Sequence, residues 1–383
     1  MADRLAEDVS FAGEDPRACT DRLRPDHPVV RGDHGDYVLL RHADVRAAAL
    51  DDVTFSSAVS AHLQIPNGLD GDAHRDVRAA LDPFLSEQAL APLVPELGEV
   101  ARALVEALPA GAAPVDAVTE IGTVFAVRAQ SAWLGWPATL EEPLVAWVSA
   151  NHEASRRGER TELAGVAARF DALITPLLAA RRDEFAAVVG DDVTARLMRT
   201  QVRGRPFSDE EIVSVLRNWT GGDLGSIALC VGVLVRGLVA DDALQRRLRA
   251  GVSDEEWDAV IDELLRRDDP FVSNRRVATC PVTVGGVDVP EGARVTLHWT
   301  SANRDEEAFD DPDGFHPASY GPANLVYGVG RHACPGRALA TIELRVALRA
   351  LVAGTTWIAA ADEPPVREVY PVGGWARVPV VLA

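Results

Sequence analysis

The chain has 383 residues, 47% of them hydrophobic and 25% charged, which is the profile of a globular protein with room for one large core. Asp and Glu (58) outnumber Lys and Arg (38), and the resulting formal charge of −20 argues against nucleic acid or anionic lipid as partners. The N-terminus has no apolar run behind a basic start, and the most apolar stretch, Ile227 to Val235, is too short to span a bilayer. Neither a signal peptide nor a membrane anchor is expected.

No internal repeat or long Gly/Ser linker divides the chain, so a single domain over 1–383 is expected. Four cysteines (Cys19, Cys230, Cys280 and Cys334) lie far apart with no CxxC pair, which suits reduced thiols and a cytoplasmic location. Early in the chain, His74 and Arg78 stand four apart, a spacing that puts both on one helical face. Leu108–Pro114, rich in Ala, Pro and Gly, is expected to be a loop between helices. Ser208 with Glu211 forms a capping box. Beyond it Ile212, Val215, Leu216, Trp219, Gly222, Ser226, Cys230 and Val233 recur every three or four residues, predicting one long helix over 208–239. Gly221, Gly222 and Gly225 interrupt it. Each costs roughly 1 kcal/mol against Ala in a helix interior, so a close approach or a local widening is expected there.

A second helix is predicted from Ser253, with Glu256 as box partner and Trp257, Val260, Ile261, Leu264 and Leu265 on its apolar face. Past Pro270 the period changes to two. Val282, Val284, Val287 and Val289 flank Gly285-Gly286, a hairpin signal. Val295–Trp299 and Val366–Leu382 also read as strands. The fold class is mainly α with small accessory β-sheets.

The densest chemistry lies in Tyr327-Gly328-Val329-Gly330-Arg331-His332-Ala333-Cys334-Pro335-Gly336-Arg337-Ala338-Leu339-Ala340. Glycines let the backbone turn tightly and approach a flat ligand. A helical run begins just after Cys334, and N–H groups at a helix start favour a thiolate, a soft ligand for iron. A buried cysteine beside an ordinary glycine turn is the plainer reading of the same residues. A zinc-deaminase reading fails because no CxxC supplies the other ligands.

This segment resembles the haem loop of the cytochrome P-450 family, Phe-Gly-x-Gly-x-His-x-Cys-x-Gly followed by x-x-Leu-Ala, with Tyr327 in place of Phe. Further matches follow in the family's order, so the resemblance covers nearly the whole chain. It implies the cytochrome P-450 fold, haem b held by Cys334 as iron ligand, and Tyr327, Gly328 and Gly336 shaping the haem loop. It implies also that His74, Arg78, Arg276 and His332 bind the haem propionates. Glu263-Leu264-Leu265-Arg266 matches the family's Glu-x-x-Arg helix, whose charges pair at i,i+3. The family's third partner, an Arg in a Pro-x-Arg-Phe stretch, is lacking in Pro312-Asp313-Gly314-Phe315.

The long helix resembles the family's oxygen-binding helix, Ala-Gly-x-Asp/Glu-Thr. In Thr220-Gly221-Gly222-Asp223-Leu224-Gly225-Ser226, Leu224 falls at the alcohol's place. Asp223 is the expected proton carrier, with either Thr220 or Ser226 as its hydroxyl partner. The loop Phe55–Asn67, with His62 and Gln64, falls where the family's substrate loop lies, and Trp219, Gly222, Phe271 and Val272 fall near the expected pocket.

The implied activity is reductive activation of O₂ and oxygen insertion into a small organic substrate. With no flavin or nicotinamide fingerprint in the chain, electrons are expected from a ferredoxin and its reductase, docking near Arg331 and Arg337. The alternatives are a peroxide-driven or otherwise atypical haem-thiolate enzyme, and a non-enzymatic haem gas sensor.

Overall fold

The computed structural model describes residues 5–32, 35–60, 63–109, 111, 113–157, 160–183 and 187–383. His62, two positions of the expected 108–114 loop and the first four residues lie outside that set. The helices of eleven residues or more are, in chain order, α1 (Gly71–Leu81), α2 (Val94–Ala107), α3 (Val124–Leu134), α4 (Glu141–Arg157), α5 (Arg160–Ala179), α6 (Asp209–Ala240), α7 (Asp254–Arg267) and α8 (Arg337–Ala353). The protein is mainly helical with small sheets, as the periodicities predict.

The axis of the molecule is α6, a helix of 32 residues. Its capping box forms: Ser208 Oγ accepts from the Glu211 N–H at 3.2 Å, and Glu211 Oε2 accepts from the Ser208 N–H at 2.8 Å. By length and composition alone α6 could cross a membrane. Its apolar residues are buried from Ile212 to Leu238, packed by α3, α4, α5, α7 and α8. The expected close approach occurs at Gly225, where an added Cβ would lie 2.9 Å from His152 Nε2 of α4. The expected widening does not occur in α6, which is α-helical throughout. A π-helical segment, Ala117–Thr123, packs against it instead.

Eight strands form the N-terminal sheet and its hairpin: β1 (Leu5–Val9), β2 (Val29–Gly32), β3 (Tyr37–Leu39), β4 (Phe55–Ser56), β5 (Ser273–Ala278), β6 (Val282–Val284), β7 (Val287–Val289) and β8 (Arg294–His298). The six-stranded sheet runs β1-β2-β3-β8-β5-β4. β8 is parallel to β3 and antiparallel to β5, which sets Val295 opposite both Tyr37 and Arg276. The β6–β7 hairpin turns through Gly285 and Gly286 at φ 58° and 82°, the positive values that a two-residue turn of this kind requires. Near the C-terminus, Pro379–Leu382 pairs with Ile358–Ala360 and Val115–Asp116.

Two large apolar clusters result, beside a third, small one around Phe11, Cys19, Val30, Val38 and Leu40. The larger joins the helices. The smaller lies under the sheet around Val29, Leu39, Val295, Leu297 and Trp299. The loop carrying Cys334 bridges them, with Leu325 in the smaller cluster and Leu339 in the larger. Packing on both flanks therefore fixes where the cysteine sits.

Candidate functional site: a buried thiol in a cationic cleft

The cysteine loop is held by its own backbone. Cys334 N–H donates to Tyr327 O at 2.8 Å, Ala333 N–H to Gly330 O at 3.1 Å, and Gly328 N–H to Leu325 O at 2.8 Å. Gly330 has φ 79° and lies so near the His42–Leu50 helix that a Cβ would come within 2.9 Å of Ala49 O. Gly336 caps α8 and turns its N–H on the Cys334 sulfur. Protein encloses Cys334 on almost every side, yet the residue keeps accessible surface, so its free face opens onto an interior cleft. Burial pushes the thiol above its ordinary pKa, while the Gly336 N–H and the Arg78 and Arg337 charges pull the other way. Tyr327 lies under the Arg337 guanidinium at 5.1 Å.

The cleft is lined by cationic and polar nitrogens. α1 carries His74 and Arg78 on one face, as their spacing requires. The His74 and His332 rings meet at 4.1 Å between centroids. His74 Nδ1 and His332 Nε2 are buried with no hydrogen-bond partner among the described residues. His332 is pushed down to about 4, first by burial and then by His74 and Arg276. His74 is lowered by burial and by Arg78. Arg276, on β5, is 6% exposed, and burial lowers its pKa. Arg78 also reaches the loop itself, donating to Arg331 O at 3.3 Å and Ala333 O at 3.2 Å. Asp70 Oδ1 approaches His332 Nε2 only to 3.7 Å, beyond a hydrogen bond, so the imidazole nitrogens beside two guanidinium groups are suited to anionic oxygens from a ligand. A thiol on the same cleft supplies an iron ligand. The residues therefore fit a flat iron porphyrin with two carboxylates.

Behind the loop, Glu263 and Arg266 of α7 pair through two bonds at 2.8 and 2.9 Å, with side chains 3% and 0% exposed. Among the described residues no third charged side chain joins them. Arg266 instead donates to Asn303 O at 2.7 Å and Pro312 O at 3.1 Å, while Glu263 accepts the His316 N–H at 2.9 Å. Phe309 and Tyr320 face the guanidinium at 4.8 and 4.9 Å. Asn303 carries the brace forward, since its Oδ1 accepts the Leu325 N–H at 2.8 Å at the foot of the cysteine loop. The His316 N–H thus donates to Glu263 where the expected arginine would have, while carbonyls and aromatic faces hold Arg266.

One face of α6 forms the opposite wall. Nothing lies within 4 Å of a Cβ placed on Gly222, which is exposed to the cleft, and Ser226, one turn on, shares that face. Leu224 is 0% exposed and belongs to the core. The expectation that residue 224 stands at the alcohol's place is therefore corrected: Ser226 is the hydroxyl on the cleft face. Three glycines in five positions allow the motif to be laid on the chain in either register, which is why the sequence misleads. Thr220 is fully buried and accepts a long bond (3.5 Å) from Gln130 Nε2 of α3, so it turns from the cleft. Asp223 is pushed up to about 7 by burial, with a hydrogen bond from Glu343 pulling it down.

The expected pocket residues scatter. Trp219 is 8% exposed and packs between Phe84 and Trp133, at 5.8 and 5.0 Å, and Val272 is 1% exposed. Both are core residues, because their apolar bulk faces neighbouring helices and strands. Phe271 and Gln64 are exposed, and His62 lies outside the described residues. The loop around Gln64 is tied to α6 through Ser214, whose Oγ accepts the Ile65 N–H at 3.0 Å. Two residues escaped the sequence reading, His152 against Gly225 and Glu343 beside Asp223. Glu343 gave a signal, as an acid on the apolar stripe of Leu339, Leu344 and Ala347. Two other cavities, of about 350 and 390 Å³, lie at α4–α5 and beside Arg17, away from Cys334.

Comparison with known proteins agrees with this geometry. The cytochrome P-450 family model matches residues 257–368. The erythromycin C-12 hydroxylase of Saccharopolyspora erythraea is 30% identical over 86% of this chain and 85% of its own length. The cyclomarin C epoxidase of Salinispora arenicola is 28% identical over 86% of each chain. Among solved structures, a mutant of the P-450 EryK in complex with erythromycin B superposes with a TM-score of 0.86 at 27% identity, covering 96% of this chain and 97% of the other.

Proposed function

From the premise that the chain belongs to the cytochrome P-450 family and is a monooxygenase, we propose that it hydroxylates or epoxidises a small organic substrate in the cytoplasm, using electrons from a ferredoxin and ferredoxin reductase. The observation that carries this reading is the meeting of Cys334 with two orphaned imidazole nitrogens and two arginines on one cleft. Haem b, bound there, would supply O₂ binding and its reductive activation, and a thiolate ligand favours that chemistry.

The chain's own residues do the rest. Cys334 would hold the iron, and the Gly336 N–H steadies its sulfur. His74, Arg78, Arg276 and His332 take the two carboxylates, which satisfies the nitrogens left bare. Gly222 leaves room on the cleft wall for oxygen and substrate. Asp223 and Ser226 would move protons toward the cleft, with Ser226 as the hydroxyl on its face and Asp223 as the acid. Thr220 takes no part, since its hydroxyl faces α3.

The substrate is organic and small enough for an internal cleft. Relatives named for acting on erythromycin and on cyclomarin C favour a substrate of that general kind. The test is turnover of a compound panel with NADPH, ferredoxin and reductase, against hydrogen peroxide alone. Product formed with the redox partners and O₂ supports the reading. Product from peroxide only indicates the peroxide-driven alternative, and reversible O₂ or CO binding with no product indicates a sensor.

A further inference from the structure

The cavity of about 390 Å³ beside Arg17 lies at the C-terminal end of α6, bounded by α7, by the Pro16–Leu23 and Asp242–Arg249 helices and by the Trp375–Arg377 strand. Its charged lining is four arginines, Arg17, Arg236, Arg267 and Arg367, against two acids, Asp241 and Asp268. Apolar side chains, among them Leu244, Leu264 and Phe315, complete the wall. In a chain of formal charge −20, such a local excess of cations runs against the whole.

Both acids are engaged. Asp241 Oδ1 accepts the Ala243 and Leu244 N–H groups at 2.9 and 3.0 Å, capping its helix. Asp268 is bound by Arg367 and stands 3.6 Å from Arg17, too far for a hydrogen bond. At the rim, Asp313 is also 3.6 Å from Arg17 and is bound by Arg304, while Asp15 caps the Pro16–Leu23 helix. Among the described residues, Arg17, Arg236 and Arg267 therefore have no acceptor for their guanidinium groups. The Nε of Arg17 and of Arg236 and the indole N–H of Trp375 are buried without a partner, a costly state for a donor. The outer nitrogens of Arg17 and Arg236 keep accessible surface. Arg236 and Arg367 lie over the Trp375 ring at 5.6 and 3.8 Å, which holds both at the cavity wall. Burial lowers the Arg17 pKa, and Arg304 and Arg367 push the same way against Asp268.

We propose that this cavity is a second binding site, for an organic phosphate: a phosphate monoester whose oxygens meet Arg17, Arg236 and Arg267 and whose carbon part lies against Leu244, Leu264 and Phe315. Three guanidinium forks offer more donors than the two oxygens of a carboxylate can accept, whereas a phosphate monoester presents three terminal oxygens. Its charge of about −1.5 to −2 at neutral pH also offsets the excess of lining arginines over lining acids. The site shares no lining residue with the cysteine cleft, so its ligand is distinct from the molecule that is oxidised there.

The test is isothermal titration calorimetry of the ferric holoenzyme with phenyl phosphate, in low-salt buffer free of other phosphate, beside inorganic phosphate, benzoate and phenol. Phenyl phosphate should bind saturably at one site, inorganic phosphate and benzoate more weakly, and phenol not at all. The Soret band should not move, since the cavity lies away from Cys334. Arg236→Ala and Arg267→Ala should each weaken phenyl phosphate about tenfold or more, as expected for a lost charge-assisted contact. Arg236→Lys, which keeps the charge without the fork, should fall between. Arg102→Ala, on the exposed face of α2, should leave binding unchanged. Because each alanine relieves crowding among like charges, both variants should melt no lower than the wild type when no phosphate is added. Absence of saturable binding in the wild type, or equal affinity in wild type, Arg236→Ala and Arg267→Ala, overturns the proposal. Benzoate or inorganic phosphate binding as tightly as phenyl phosphate overturns the assignment to an organic phosphate.

Discussion

His74 and Arg276 show how a single side chain earns its place at this site. Each is buried, with Asp52 and Asp70 acting on it only through space and outweighed by burial, so a bound ligand's anionic oxygens would complete both. Replacing both with alanine removes two of the four groups that receive the carboxylates. The double variant should bind haem far more weakly, read as a lower ratio of Soret to protein absorbance after gel filtration. Full occupancy would place the carboxylates elsewhere. On the opposite wall, Ser226→Ala should divert electrons from product to hydrogen peroxide, and Leu224→Thr should not restore coupling, because residue 224 faces the core. Peroxide yield per NADPH decides between them.

The same residues show what a sequence can disclose. His74, Arg78, Arg276, His332 and Cys334 could be named from the sequence through the family resemblance, and of them only His74 and Arg78 have a spacing that sets a shared face by itself. Residue 224 was not, because the register of a glycine-rich helix depends on which face its neighbours cover. Asp223 was named as the proton carrier, and Glu343 was not singled out. Their meeting depends on how two distant helices pack, which no local pattern encodes.

At the scale of elements, α7 and the loop after the Trp299–Ala302 helix form the brace of the cysteine loop. The Glu263–Arg266 pair is dry, and its remaining valences go to backbone carbonyls and one backbone N–H. Removing one partner leaves an uncompensated charge, so Glu263→Leu should cost roughly 3–5 kcal/mol of stability in urea titration, or prevent haem incorporation outright. The missing arginine of the Pro312–Phe315 stretch was visible in the sequence, but the His316 backbone N–H that donates to Glu263 in its place was not, since every residue but proline has one.

The short Trp299–Ala302 helix adds a pH dependence. His298 caps it, its Nδ1 accepting the Ser301 N–H at 3.1 Å, and burial pushes its pKa down to about 3. An unfolded histidine binds its proton near pH 6.5. Between those values the unfolded chain holds a proton that folded His298 refuses. Its contribution is therefore complete above about 6.5 and is lost as pH falls toward 3, with a slope of about 1.4 kcal/mol per pH unit. In His298→Gln that share of the acid slope should vanish from a series of denaturation curves. An unchanged slope would mean that His298 protonates without unfolding.

On the scale of the whole molecule, an acidic protein must still receive electrons near its thiol. Arg331 and Arg337 flank the cysteine loop and are exposed, at 44% and 62% of their side chains, with Asp52 and Asp262 as their present partners. Both acids lie further in than the arginines, which leaves the outer guanidinium edges free for an acidic ferredoxin. Arg337→Glu should slow reduction by ferredoxin several-fold at low salt and lose its effect as salt rises, while leaving reduction by dithionite unchanged. Equal rates for variant and wild type would move the docking face elsewhere.

The central claim is that Cys334 is the iron ligand of a haem held in this cleft, and the carbon monoxide difference spectrum of the reduced holoenzyme tests it most directly. A thiolate opposite CO should give the strongly red-shifted Soret band characteristic of that ligand. In Cys334→His the band should move to the shorter wavelength of an imidazole-ligated haem, even where haem is retained. A wild type without the red-shifted band, or a Cys334→His variant that keeps it, would contradict the account.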